Sequence, residues 1–215
     1  MIAFSGLDGA GKSTQIGYLR DFYNQKKIRT IVLWSRGGYT PGMELVKSLL
    51  RRFKIANVPL NKGESPNRDV AFSKRYIRKI WLNLAMLDLL FYYAVYIRVL
   101  EFVGIVVICD RYLYDTLLDF KRNFPQENIQ ISPLWRFLML VATKPEKHFV
   151  LTISVQESQL RSKLKHEPFP DSYETLEFRL AEYLKYCSTN REVVQIDCEK
   201  RMDLIQREIL ANLVK

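Results

Sequence analysis

Apolar residues follow two rhythms along this chain. Short, nearly continuous apolar runs occupy Ile2 to Ser5, Thr30 to Leu33, Ile105 to Asp110, His148 to Ser154 and Val193 to Asp197, and between them lie longer stretches with apolar positions three and four apart. The short runs predict strands and the longer ones helices, the first from Ser13 to Tyr23. Strand and helix in alternation predict a parallel sheet, because parallel neighbours need a crossover long enough to hold a helix, and helices then cover both faces. Gly104-Ile-Val-Val-Ile-Cys-Asp110 is apolar throughout, as a central strand buried on both faces must be. After the second strand, Gly37, Gly38, Pro41 and Gly42 mark a loop, and Thr40-Pro41 opens a predicted helix to Phe53. Ala56 to Asn67 is polar and rich in turn formers, which suits a mobile loop or insertion. No linker-like repeat divides the chain, so a single domain over residues 1–215 is expected.

Leu82 to Ile108 is apolar enough to raise the question of a membrane span. Asp88, Arg98 and Glu101 interrupt it before it reaches the ~20 residues a span requires, so a buried helix is expected instead. Its aromatics Phe91, Tyr92, Tyr93 and Tyr96 suit a core, or a core on one side and a subunit interface on the other. With 48% hydrophobic residues in 215, the chain can bury a substantial core. Cys109, Cys187 and Cys198 are too few and scattered for a disulfide framework or a zinc site, which suits a reducing compartment. The first strand begins right after Met1, leaving no room for a signal peptide, and a cytoplasmic protein without a membrane partner is expected. The net charge of +10 invites a nucleic-acid reading through Arg51, Arg52 and Lys54 and through Lys74, Arg75, Arg78 and Lys79. Neither cluster sits in a recognisable nucleic-acid-binding pattern, so solvated helix faces and anion-site residues are the preferred account.

Gly6-Leu7-Asp8-Gly9-Ala10-Gly11-Lys12-Ser13 changes the picture most, because it matches the phosphate-binding pattern G-x-x-x-x-G-K-[ST] between a predicted strand and a predicted helix. Glycines let backbone wrap an anion closely, and the following helix aims unpaired N–H groups and its positive end at it. Gly6, Gly9, Ala10, Gly11, Lys12, Ser13 and Thr14 are therefore the candidate binding residues for the phosphates of ATP, with Lys12 reaching the β/γ-phosphates and Ser13 holding Mg²⁺. In an open parallel sheet ligands bind at the carboxyl ends of strands, which directs attention to the residues following each apolar run. Asp110 ends the third strand as a metal-linked acid does. Asp8 is a carboxylate inside an anion loop, unfavourable unless a metal, a cation or an acceptor proton offsets it, and is a candidate catalytic group beside the acceptor. Asp115 could share these roles or cap a helix. Arg36 and Arg111 suit an acceptor phosphate, with Gly37, Gly38 and Tyr112 as neighbouring contacts, although either arginine also suits the surface. The basic segment around residues 160–175 suits a lid over the transferring group, with Arg161 the first candidate and Lys165 the second; a solvent-facing helix end would read the same way.

These residues resemble the thymidylate kinase family, a branch of the P-loop nucleoside monophosphate kinases. The resemblance rests on F-S-G-L-D-G-A-G-K-S-T-Q at Phe4 to Gln15, R-G-G-Y-T-P-G at Arg36 to Gly42, V-I-C-D-R-Y at Val107 to Tyr112, and the basic stretch after the fourth strand. It implies an α/β fold, the P-loop NTPase three-layer sandwich with a five-stranded parallel sheet, and a homodimer with ATP, Mg²⁺ and dTMP as ligands. By the same resemblance Asp8 and Arg111 approach the acceptor phosphate and Asp110 the metal shell. The chain departs from the family where the acceptor sits. The usual L-F-x-A-D-R segment before the third strand falls on apolar residues around Met86 to Leu90 with no arginine, and Tyr114-Asp115 replaces a small hydroxyl residue. The second-strand loop lacks R-x-P-G-G-T, and the lid lacks D-R-x-E. Two alternatives follow: a P-loop kinase of another small phosphorylated or hydroxyl-bearing metabolite, or a nucleotide-dependent regulatory protein, the latter disfavoured by the missing N-K-x-D after the fourth strand.

Overall fold

The computed structural model describes residues 1–35, 72–166 and 170–213. Arg36, Gly37, Gly38, the helix expected to Phe53 and the loop Ala56 to Asn67 lie outside them. In chain order the described elements are β1 (Ile2–Gly6), α1 (Lys12–Gln25), β2 (Thr30–Trp34), α2 (Arg75–Leu90), α3 (Ile97–Phe102), β3 (Val106–Asp110), α4 (Leu113–Asn123), α5 (Pro133–Val141), β4 (Lys147–Thr152), α6 (Val155–Leu164), α7 (Tyr173–Thr189), β5 (Val193–Asp197) and α8 (Met202–Leu213).

The five strands form one sheet in the order β2-β3-β1-β4-β5, and every pairing is parallel. Each strand therefore ends at the same edge, where backbone and side chains converge on a shared cleft. The period of two along the strands divides the core. Ala3, Val107 and Cys109 point to the face covered by α2 and α5, while Ile2, Phe4 and Ile108 point to the face covered by α1, α7 and α8. The three layers and five parallel strands agree with the fold expected from the apolar runs.

Register sets the cleft's floor. Trp34 and Phe4 lie level with Asp110, on either side of β3, and β1 continues two residues further alongside β4 to reach Gly6. Arg111 closes the β3 end: its N–H donates to the Phe4 carbonyl at 2.8 Å, and its backbone turns to φ 79°.

Between α2 and α3 the backbone widens to a π-helical turn over Phe91–Tyr96, so Arg75–Phe102 forms one helix of 28 residues. By length and composition alone it could cross a membrane. Its inner side, Leu82, Ala85, Met86, Leu89, Tyr93 and Ile97, packs into the core beneath the sheet, whereas Phe91 and Phe102 face outward, 62% and 92% exposed. The aromatics of this helix thus divide between a core and an open face. The basic cluster near its start is divided too: the Arg78 guanidinium is buried against Glu127 at 3.2 Å and donates to the carbonyls of Phe72 and Ser73, so it is a structural group and not part of a solvated face.

Candidate active site

The turn from β1 into α1 is shaped by what lies behind it. Gly6 stands at φ 137° against β4, where a Cβ would collide with the Leu151 carbonyl oxygen, so only glycine lets the loop leave the sheet there. The chain then turns tightly, with the Ala10 N–H on the Leu7 carbonyl at 3.2 Å, and α1 starts at Lys12. The first N–H groups of a helix have no intrahelical acceptor, and those of α1 point toward the strand ends. Lys12 folds back over the loop, its Nζ donating to the carbonyls of Gly6 at 3.0 Å and Leu7 at 2.8 Å, with Asp8 3.9 Å away. Burial, and then the neighbouring Arg111, lower its pKa to about 8. An anion bound in the loop would offset both effects.

Arg111 joins the loop to the end of β3. One nitrogen of its guanidinium meets Asp8 at 2.5 Å and the other meets Asp115 at 3.4 Å. Burial opposes its charge, but Asp8, Tyr183 and Asp115 together hold its pKa above the ordinary guanidinium value. The carboxylate of Asp8, unfavourable in an anion loop by itself, is thus offset by a cation from the neighbouring strand.

Asp110 is partly buried beside them, and burial raises its pKa even though Lys12 and Arg111 pull the other way. Its Oδ1 is buried with no hydrogen-bond partner among the described residues. A carboxylate oxygen in that condition is unfavourable unless something satisfies it, and a hard cation shared with the exposed Ser13 hydroxyl would do so. These residues fit Mg²⁺ as an oxygen-liganded ion. Among the described residues no three His, Cys, Asp or Glu side chains cluster as a metal cage.

A cleft of about 190 Å³ is lined by Asp8, Gly9, Gly11, Lys12, Ser13, Trp34, Asp110, Arg111 and Lys165. The structure therefore brings together Asp8, the loop residues, Asp110 and Arg111. Thr14 is exposed on α1 just beyond the cleft's lining, and Ala10 is buried beneath the loop. Tyr112 is not brought to the cleft; its ring packs edge-on between Tyr93 and His148, and its hydroxyl donates to the Thr143 carbonyl at 2.8 Å.

The basic segment divides. Arg161 reaches the loop from behind, donating to the carbonyls of Gly9 at 3.4 Å and Cys198 at 3.3 Å and pairing with Glu157 at 2.6 Å. Lys165, one turn on, lines the cleft. Sequence reasoning missed two contributors. Ser158 on α6 donates to the Asp8 carbonyl at 2.6 Å, a contact across 150 residues that no local pattern signals. Trp34 lines the cleft from the end of β2, and the strand-end rule that selected Asp110 selects it as well.

The thymidylate kinase family profile matches residues 4–209. A thymidylate kinase of Legionella pneumophila (strain Paris) is 26% identical over 219 aligned residues, covering 97% of this chain and 91% of that protein. A probable thymidylate kinase 2 of Saccharolobus solfataricus is 29% identical over 199 residues, covering 90% of this chain and 80% of that protein. A thymidylate kinase of Nitrobacter hamburgensis is 45% identical over a short span of 49 residues, 23% of this chain.

Proposed function

The chain belongs to the thymidylate kinase family of nucleoside monophosphate kinases, and from that premise we propose that it transfers the γ-phosphoryl group of ATP to a nucleoside monophosphate, dTMP first. The observation that carries this reading is the 2.5 Å contact between Arg111 and Asp8, which supports reading Arg111 as an acceptor-phosphate ligand beside the donor loop. Backbone N–H groups of Gly9, Gly11, Lys12, Ser13 and Thr14 hold the donor's phosphates, and Lys12 leaves the Gly6 and Leu7 carbonyls for the β/γ oxygens. Arg111, with Arg36, Gly37 and Gly38 from the loop after β2, holds the acceptor phosphate in line. One of that phosphate's oxygens then forms the new bond to Pγ as the bond to the β,γ-bridging oxygen breaks, giving ADP and a nucleoside diphosphate. Asp8 orients the acceptor through Arg111. Lys165 supplies charge from the lid side, and Arg161 acts through the loop it braces. Ser13 and Asp110 would hold Mg²⁺, which would supply charge neutralisation at the β/γ oxygens.

A panel of monophosphates assayed with ATP and Mg²⁺ tests this. dTMP is expected to be turned over best, and Lys12→Ala is expected to lose at least about a hundredfold in turnover while keeping a cooperative melt. ATP hydrolysis indifferent to every acceptor would instead indicate a regulatory nucleotide switch. One observation favours a different acceptor: Met86 and Leu89 are buried in the core, so that turn of α2 offers no arginine to a thymine base. Clearly better turnover of another monophosphate than of dTMP would select that reading.

The open face of the Arg75–Phe102 helix belongs to the same proposal. Phe91, Val95, Val99 and Phe102 line it, with Phe137 and Leu140 exposed on α5 beside it. Exposed apolar surface of this extent marks an interface. A helix of 28 residues, about 42 Å long, offers a self-complementary strip, so we assign it to a second copy of this chain.

A further inference from the structure

Asp115 is 1% exposed, more deeply buried than the Asp8 carboxylate at the cleft. As the third residue of α4 it accepts the Tyr112 N–H at 3.0 Å, which is what a helix cap requires. That task needs one neutral oxygen. The carboxylate does more: Oδ1 accepts from the Tyr183 hydroxyl at 2.7 Å and from Arg111 Nη1 at 3.4 Å, and Oδ2 accepts from the Ser5 hydroxyl on β1. A buried carboxylate is unfavourable unless it is paired and hydrogen-bonded, and its charged partner here is Arg111.

Arg111 itself is held in an unusual posture. A non-glycine residue in the left-handed region persists only where its surroundings enforce it. Backbone contacts to Phe4 and the Tyr93 hydroxyl fix the turn, and the guanidinium then spans two carboxylates, Asp115 in the interior and Asp8 at the cleft. An arriving phosphate shares the outer nitrogen, which carries two donors, with Asp8. The inner nitrogen stays on Asp115.

We infer that Asp115 is the positioning residue for Arg111: it anchors the inner end of the guanidinium so that the outer end is presented to the acceptor's phosphate. This rests on the reading of Arg111 as the acceptor-phosphate ligand. Through Ser5 the same carboxylate also ties the root of the donor loop to that arginine, so one buried anion aligns donor and acceptor sides.

Asp115→Asn keeps the cap and removes the charge. The KM for dTMP is expected to rise about tenfold or more while the KM for ATP stays within about twofold, a split that a general loss of structure does not produce. Asp115→Glu, which keeps the charge, is expected to recover part of the dTMP affinity. Nitrogen-15 spectra supply a readout independent of turnover. The parent's Arg111, identified by its loss in Arg111→Lys, is expected to show two separate Nη resonances because its rotation is hindered at both ends, and Asp115→Asn to merge them. An unchanged KM for dTMP, an equal rise in both KM values, or resonances that stay apart in Asp115→Asn would overturn the inference. Failure of both variants to fold would overturn it too, since the residue would then serve the fold and not the arginine. If the parent does not turn over dTMP, the proposed acceptor fails and the resonances alone decide this inference.

Discussion

His148 on β4 is 3% exposed, with Ser5, Tyr112 and Tyr186 around its ring. Hydrogen counting assigns its tautomer. The single Ser5 proton goes to Asp115, so His148 Nε2 must donate to the Ser5 oxygen at 2.7 Å, which leaves Nδ1 to accept from the Tyr186 hydroxyl at 3.4 Å. Burial lowers the His148 pKa to about 4 from 6.5, against a smaller opposing pull from Asp115. Because the folded value lies below the unfolded one, the unfolded chain takes up the proton first as pH falls. The stability held by the neutral ring is therefore full above 6.5 and lost between 6.5 and 4, by about 3 kcal/mol at most. His148→Gln is expected to flatten the melting temperature against pH in that window relative to the parent; parallel curves would contradict the assignment. Nothing around residue 148 in the sequence announces this. Ser5, Asp115, His148 and Tyr186 meet only because β1, β4, α4 and α7 converge, and the strand pattern shows His148 simply as one position in an apolar run.

Two of the glycines at the turn between β1 and α1 stand under different constraints. Gly6 is pressed against the Leu151 carbonyl of β4, whereas Gly11, at φ 86°, has no atom of the described residues within 4 Å of where a Cβ would stand. Gly11→Ala is expected to cost only the left-handed backbone penalty, about 1–2 kcal/mol. Gly6→Ala adds a backbone collision that no rotamer relieves and is expected to cost about 4 kcal/mol or more. Chemical denaturation of both variants measures the difference, and equal losses would mean that the sheet's closeness is not what requires Gly6. The motif spacing shows that glycines belong in this turn. It does not show which of them touches another strand, since Leu151 lies far along the chain. Arg78 teaches the same lesson on α2: its neighbours in sequence make it look solvated, and the approach of Glu127 together with the Phe72 and Ser73 carbonyls accounts for its burial.

At the scale of assembly, the open side of the Arg75–Phe102 helix makes a clear prediction. Sedimentation equilibrium at micromolar concentration is expected to give twice the monomer mass, and Phe91→Asp together with Val99→Asp, both at exposed positions, is expected to give the monomer with its melt preserved. A parent that sediments as a monomer would remove the second copy from this face. The sequence by itself determined the parallel α/β architecture, the five strands and the phosphate loop, because period, glycine spacing and the apolar β3 run are local properties that each demand one kind of backbone. It also singled out Asp8, Asp110 and Arg111 as chemistry-bearing residues, since each stands at or beside the end of an apolar run. Only the tertiary structure decided what those residues do to one another. The pairing of Arg111 between Asp8 and Asp115, the Asp110 oxygen with no hydrogen-bond partner among the described residues, and the separate places of Arg161 and Lys165 all depend on distances between segments remote in sequence, and those distances are fixed by strand register and helix packing.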